Sequence, residues 1–395
     1  MARLIAIDLP AGPAFVDTIR SAWDDGDGVF VVDRRISQSA KVGLLDQVGP
    51  HTVISDDPIV AAAASPEAAP LLRGDRLVIA TSGTSGKPKL VVLSADALVS
   101  QTRSVNDRLE VDVRSDRWLA CLPLAHLGGL GVVIRSLLSD TPVDVVDGFD
   151  PDAVAAAPAT VGSTLVSLVP TAMARTSVSG YRKVLVGGAA DLGAQPANVV
   201  RTYGLTETGG GVVYDGLALD GCEVRVGEDA EVSLRGPMLA RGYRQRDGQV
   251  TALVDDEGWF ATGDRGAWVS GRLVIHGRTD DMIVTGGENV WPDPVEAVIA
   301  THRSVAEVAV VGRADPEWGE RVVAIIVPTD PKEPPSLEVL RAMVKESMPP
   351  WCAPRELVVA QSLPRTALGK VRRRDLRLDA PIGPRSLDAR SRGSQ

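Results

Sequence analysis

Residues 81–89 read Thr-Ser-Gly-Thr-Ser-Gly-Lys-Pro-Lys and directly follow the apolar run Leu-Val-Ile-Ala at 77–80. Four hydroxyls (Thr81, Ser82, Thr84, Ser85), two glycines (Gly83, Gly86) and two lysines (Lys87, Lys89) in one short loop suit it to phosphate. Glycine lets backbone N–H groups approach an anion, hydroxyls donate, and lysine adds charge. The spacing departs from the Walker pattern: Thr81 stands five residues before Gly86, where that pattern needs glycine, and Pro88 follows Lys87. A flexible Gly/Ser linker would have no reason to follow a buried strand or to gather lysines.

Three further groups have residue types suited to a nucleotide and its chemistry. Tyr203 opens Tyr-Gly-Leu-Thr-Glu-Thr and offers a ring for stacking, while Gly187, Gly188 and Ala189 leave a flat slot for a planar base. Thr206 supplies a hydroxyl for phosphate and Glu207 a carboxylate for a hard cation such as Mg²⁺. Asp264, closing Gly-Trp-Phe-Ala-Thr-Gly-Asp, has the chemistry to accept from two ribose hydroxyls, and Arg278 can add a charged donor. Lys370 ends Pro-Arg-Thr-Ala-Leu-Gly-Lys; taken alone it reads as a solvated surface charge. His126, in Leu-Pro-Leu-Ala-His-Leu-Gly-Gly-Leu-Gly, reads either as a core histidine or as a pocket residue.

Holding these groups requires an α/β scaffold. Short apolar runs near 77–80, 118–122, 143–146, 165–169 and 184–186 alternate with helical patterns, as in a layered domain with a mostly parallel sheet. Ser94 is placed to cap a helix reaching about residue 108, with Asp96 in its first turn. Between 221 and 275 strands separated by Gly and Asp turns suggest an antiparallel β subdomain. Beyond it comes a smaller α+β unit, with a helix capped by Asp293 and opened by Pro294, strands at 308–311 and 322–326, and a helix over 336–347. The first seventy residues show only weak periodicity. The expected organisation is an N-terminal domain over 1–277, a mobile C-terminal domain over 278–378, and a disordered tail over 379–395.

The 395 residues carry a net charge of −9 and 44% hydrophobic content. That suits a soluble globular protein and argues against a nucleic-acid binder. No apolar run approaches the roughly 18–20 residues of a membrane span, and the N-terminus makes a poor signal peptide, so the cytoplasm is the expected location. Cys121, Cys222 and Cys352 are scattered without metal-site spacing.

Together the 81–89, 203–208, 258–264 and 364–370 strings resemble, in order and spacing, the adenylate-forming superfamily of acyl-CoA synthetases, nonribosomal-peptide adenylation domains and luciferases. They cover the chain from about residue 76 to 374. The resemblance implies ATP, Mg²⁺ and coenzyme A as cofactor and co-substrates. It implies AMP-forming chemistry with catalytic roles for Lys370, His126, Thr206 and Glu207, and a cation held by Glu207 and Thr84. It further implies a hinge at Asp280 and CoA contacts from Gly286, Gly287 and Glu288. The N-terminal layer is shorter than in typical members, so an outer layer is expected to be trimmed. Within the superfamily the chain is most similar to the o-succinylbenzoate-CoA ligases of menaquinone biosynthesis, on the strings at 167–171, 184–190 and 209–226. Such an acid carries a second carboxylate that needs a cation if buried. Arg135, in the apolar run 130–138, is positioned for that role unless it makes a surface salt bridge, and Gly209 and Gly210 fit a pocket wall kept low for an aryl ring. Other aryl- or acyl-CoA ligases, and enzymes loading a separate carrier protein, remain alternatives. The expected partners are therefore small molecules, with a homodimer left open.

Overall fold

A computed structural model describes residues 1–81, 88–187, 195–365 and 371–376. The chain forms two compact units that divide between Ile275 and His276, two residues before the boundary expected from the sequence.

The first unit is built on two seven-stranded sheets. In one, Leu4–Asp8, Gly28–Val31, Thr52–Ser55 and Asp75–Thr81 run parallel. Lys89–Ser94 returns antiparallel to Asp75–Thr81. The first sixty residues thus make a regular three-stranded α/β layer that their weak periodicity hid. Leu4–Asp8 and Gly28–Val31 are buried throughout, so they present short apolar runs in place of alternation. The second sheet takes Trp118–Ala120, Val143–Val145, Leu165–Leu168, Lys183–Gly187 and Val199–Leu205 in parallel, then Gly210–Tyr214 and Leu217–Ala218 antiparallel. Every strand expected in the parallel region is present.

One apolar core joins the sheets through the helices Pro13–Asp24, Ala95–Leu109 and Leu127–Ser139. Ser94 caps the second of these, accepting from Ala97 N at 3.2 Å, as its sequence position suggested. Leu127–Ser139 is apolar on most of its circumference, the pattern of a helix enclosed on all sides.

The third sheet holds Glu223–Val226, Glu231–Arg235, Phe260–Val269 and Arg272–Arg278. Here the structure corrects the sequence reading. Gly242–Arg244 and Val250–Ala252 leave this β region and extend the first sheet, with Tyr243 paired to Val91. Arg241 secures the crossing by gripping the buried Asp75 through two hydrogen bonds of 3.1 and 2.7 Å.

The second unit is a five-stranded sheet centred on the long hairpin Val305–Asp315 and Gly319–Pro328. The helices Pro292–Ala300 and Leu337–Ser347 share a core with it. The first helix begins at Pro292, with Trp291 in the cap position, and not at Pro294 after an Asp293 cap. Pro294 lies within the first turn, where its missing N–H is one of the donors a helix leaves unused.

Candidate active site

The strands Asp75–Thr81 and Lys89–Ser94, which flank the phosphate-type sequence, pair antiparallel. Thr81 pairs with Lys89 across the stem; Ser82, Gly83, Thr84, Ser85, Gly86 and Lys87 lie outside the described residues. Lys89 Nζ stands 4.9 Å above the ring of Tyr243, whose hydroxyl donates to Glu207 Oε1 at 2.8 Å. Tyr243 therefore links the loop stem to the acidic turn, a connection the sequence analysis missed because the two residues are far apart in the chain. Thr206 and Glu207 stand on a single tight turn, Thr206–Thr208. Thr208 is fully buried: its Oγ1 accepts from Leu205 N at 2.9 Å and lies 2.6 Å from the Gly210 carbonyl. Ala240 N donates to the Glu207 carbonyl at 2.7 Å, holding the turn against the strand that carries Tyr243.

This donor set fits a particular kind of cation. Among the described residues no group of three or more His, Cys, Asp or Glu is arranged to hold a metal. One carboxylate with neighbouring hydroxyls matches magnesium that arrives on phosphate and keeps waters, as opposed to an all-protein cage.

Tyr203 lies in Val199–Leu205, beside a register shift against the next strand. Gly204 is required there, since a Cβ would fall 2.0 Å from the Gly210 carbonyl oxygen. The Tyr203 hydroxyl donates to Asp264 Oδ2 at 2.8 Å. Asp264 itself is 7% exposed, and its N–H donates to Thr262 Oγ1 at 3.0 Å. The ring expected to stack on a base and the carboxylate expected to take ribose are thus one connected pair. Gly187 ends Lys183–Gly187, with Thr202 Oγ1 3.1 Å from where its Cβ would lie. Gly188 and Ala189 lie outside the described residues.

His126 occupies the cap position of Leu127–Ser139, with its Nε2 3.1 Å from Arg35 Nη2 and 3.5 Å from Asp33 Oδ2. Burial alone would raise the Asp33 carboxyl, but the side-chain and backbone hydrogen bonds from Arg35 and the Arg35 charge hold it well below the usual carboxylate range. Nine residues along the helix, Arg135 is 4% exposed. Its guanidinium lies 4.8 Å over the Trp118 ring, it forms no ion pair among the described residues, and its Nε has no hydrogen-bond partner there. Burial pulls its pKa down, opposed by the neighbouring Tyr214, whose phenol burial pushes up to about 12. Thr102 Oγ1, Asn106 Oδ1 and Trp118 Nε1 are likewise buried without partners among the described residues. They belong to Ala95–Leu109 and Trp118–Ala120, elements packed against Leu127–Ser139. Gly209 and Gly210 back onto Gln101 of the same region; a Cβ on Gly210 would lie 3.1 Å from Gln101 Nε2. Trp118, Tyr214 and Gln101 were not singled out from sequence, where each reads as ordinary core or surface.

The remaining candidates belong to the second unit. Arg278 ends the strand Arg272–Arg278, and Asp280 sits in the turn Thr279–Asp281. Gly286 and Gly287 form the two-residue turn between Ile283–Thr285 and Glu288–Val290 with φ of 60° and 86°, and Glu288 starts the returning strand. Left-handed values at both positions favour glycine. Lys370 lies outside the described residues, but its flanks are fixed: Arg365 bridges to Val371, and Arg372 N donates to the Pro364 carbonyl at 2.8 Å. Just beyond, Arg373 is held by Asp281, Asp293 and Glu296.

Comparisons with known proteins place the chain in a family. Residues 27–244 match the AMP-binding enzyme family and residues 294–370 the AMP-binding enzyme C-terminal domain. A probable 2-succinylbenzoate–CoA ligase of Mycobacterium tuberculosis is 40% identical over 320 residues, covering 75% of this chain and 82% of the relative. The o-succinylbenzoate CoA synthetase of Bacillus subtilis, solved with the acyl-adenylate OSB-AMP, superposes with a TM-score of 0.83 at 26% identity, covering 97% of this chain and 89% of that one. The same enzyme solved with ATP and magnesium gives 0.81 at 25% identity, covering 95% and 89%.

Proposed function

The chain belongs to the AMP-binding enzymes, and from that premise we propose that it is an o-succinylbenzoate–CoA ligase. In the first half-reaction an oxygen of one substrate carboxylate bonds to the α-phosphorus of ATP as the α–β bridging P–O bond breaks, and pyrophosphate leaves. In the second, the CoA thiol bonds to the activated carbonyl carbon and AMP departs. Arg135 carries the choice of acid. A buried guanidinium with no acid partner among the described residues is a costly arrangement unless an anion completes it. The second carboxylate of 2-succinylbenzoate is such an anion, and Gly209 and Gly210 leave room for its ring.

The other residues take roles suited to their placement. Asp264, steadied by Tyr203, accepts from the ribose hydroxyls, and Arg278 assists it. Gly187, Gly188 and Ala189 take the flat face of the base, and Thr206 donates to phosphate with the 81–87 loop. Glu207, oriented by Tyr243, and Thr84 would hold Mg²⁺, which supplies positive charge to the phosphate oxygens when bound. His126 lines the acyl pocket. Lys370 neutralises two anions as they meet, carboxylate and α-phosphate. Asp280 is the hinge of the mobile C-terminal domain, and the Gly286–Gly287 turn with Glu288 lines the path of CoA. A cytoplasmic location, where ATP and CoA are at hand, goes with this reading, and sedimentation would decide between monomer and homodimer.

The test is CoA thioester formation from o-succinylbenzoate, with benzoate and medium-chain acids as controls and pyrophosphate release followed in parallel. Turnover confined to o-succinylbenzoate is expected. Equal turnover of benzoate would overturn the choice of acid, and so would an Arg135→Ala enzyme with unchanged KM for o-succinylbenzoate.

A further inference from the structure

The segment after Gly28–Val31 places two charged residues beside His126 that no motif marks. Asp33 is 8% exposed. Arg35 grips it as a fork, Nε to Oδ1 at 2.9 Å and Nη2 to Oδ2 at 2.7 Å, and Arg35 N donates to Oδ1 at 3.0 Å. The guanidinium is therefore not free to swing. Its Nη2 also reaches His126 Nε2, at 3.1 Å.

A guanidinium can only donate. A hydrogen bond from Arg35 to Nε2 thus requires a lone pair on that nitrogen, which in a neutral imidazole leaves the proton on Nδ1. A doubly protonated ring would set two donors against each other at this distance. Asp33 Oδ2, at 3.5 Å from Nε2, is too far to pull a proton onto that nitrogen. The backbone of His126 is fixed as well: its carbonyl accepts from Gly129 N and Leu130 N at 3.0 and 2.8 Å.

We propose that Arg35, braced by Asp33, is a positioning residue that donates to Nε2 of His126 and so keeps a ring proton on Nδ1, making the ring a hydrogen-bond donor toward the bound acid. The inference rests on the reading of His126 as an acyl-pocket residue. It assigns the N-terminal layer a part in substrate recognition: the first sheet supplies, from the end of its second strand, the group that sets the state of a pocket side chain.

The chain has four histidines, so ¹⁵N-histidine NMR of the full chain resolves the ring of His126 by its absence in His126→Gln. The wild type should show an unprotonated Nε2 and a protonated Nδ1. In Arg35→Met the ring should relax to a mixture of tautomers, and the KM for o-succinylbenzoate should rise roughly 5- to 10-fold, the loss of one oriented hydrogen bond, with the KM for ATP unchanged. Arg35→Lys should restore part of both readouts. The double variant Asp33→Asn/Arg35→Met removes the carboxylate left behind and should match Arg35→Met. A protonated Nε2 in the wild type, or an unaltered tautomer in Arg35→Met, overturns the inference. An unchanged KM in Arg35→Met alone overturns it while leaving His126 in the pocket; unchanged KM in both Arg35→Met and His126→Gln overturns the pocket reading with it.

Discussion

Arg135 separates what folding wants from what binding wants. An enclosed guanidinium whose Nε meets no acceptor among the described residues works against the folded state, since an unmatched buried charge costs more than the apolar side chain it displaces. Arg135→Leu should therefore raise stability by about 1 kcal/mol or more in urea titrations while raising the KM for o-succinylbenzoate roughly 10²-fold, as loss of a buried charged partner does. A variant that lost both stability and affinity would make Arg135 a structural residue. Asp33 shows the opposite balance. Its carboxyl is held below the usual range, so the folded chain binds fewer protons there than the unfolded one. That stabilisation is complete above the unfolded pKa and drains away as pH falls toward the depressed folded value. The gap in urea midpoint between wild type and Asp33→Asn should stay flat from about pH 8 to about pH 5 and narrow below about pH 4.

Elements read from local pattern were legible wherever burial made a continuous apolar run. Leu165–Leu168 and Lys183–Gly187 stand in the middle of a parallel sheet, so their sequences announce themselves. Gln38–Val48 does not: only Leu45 and Val48 of its residues are buried, and it mixes Ser, Lys and Gly. The stretch 221–275 reads as one β subdomain, yet Gly242–Arg244 joins the first sheet, because its partner, Lys89–Ser94, lies some 150 residues away, beyond the reach of any periodicity. The site divides along the same line. Glu207 and Asp264 could be singled out because their motifs are contiguous, whereas Tyr243, Trp118 and Arg35 come to notice only through contacts between distant segments. Arg373 illustrates an element held by charge. It ties the segment after Lys370 to the turn Thr279–Asp281 and to Pro292–Ala300 through three carboxylates. Burial raises the Glu296 carboxyl, and Arg373 opposes it. Arg373→Met would leave those acids facing one another, and the second unit should lose roughly 3–5 kcal/mol, the cost of breaking a buried ion pair from one side. Chemical denaturation followed by Trp fluorescence would measure it.

On the scale of the molecule, the proposed chemistry is divided between two units, one carrying Glu207 and Asp264 and the other the flanks of Lys370. The half-reactions should then part company on mutation. Lys370→Ala should slow adenylate formation by roughly 10²- to 10³-fold while sparing thioester formation from a preformed acyl-adenylate; equal loss in both, measured separately, would argue against one lysine serving one step. The first unit, by contrast, admits no clean cut. Its first sheet is finished only when Gly242–Arg244 and Val250–Ala252 return to cover Lys89–Ser94, after the chain has already completed the second sheet and begun the third. A truncated protein ending near residue 220 would keep every strand of the second sheet, yet would display the bare hydrogen-bonding edge of Lys89–Ser94 beside the phosphate loop. Such an edge recruits other chains. The shortest fragment of this unit able to stay monomeric must therefore run past residue 252, and on the ribosome Lys89–Ser94 acquires its neighbouring strand only after most of the unit has been synthesised.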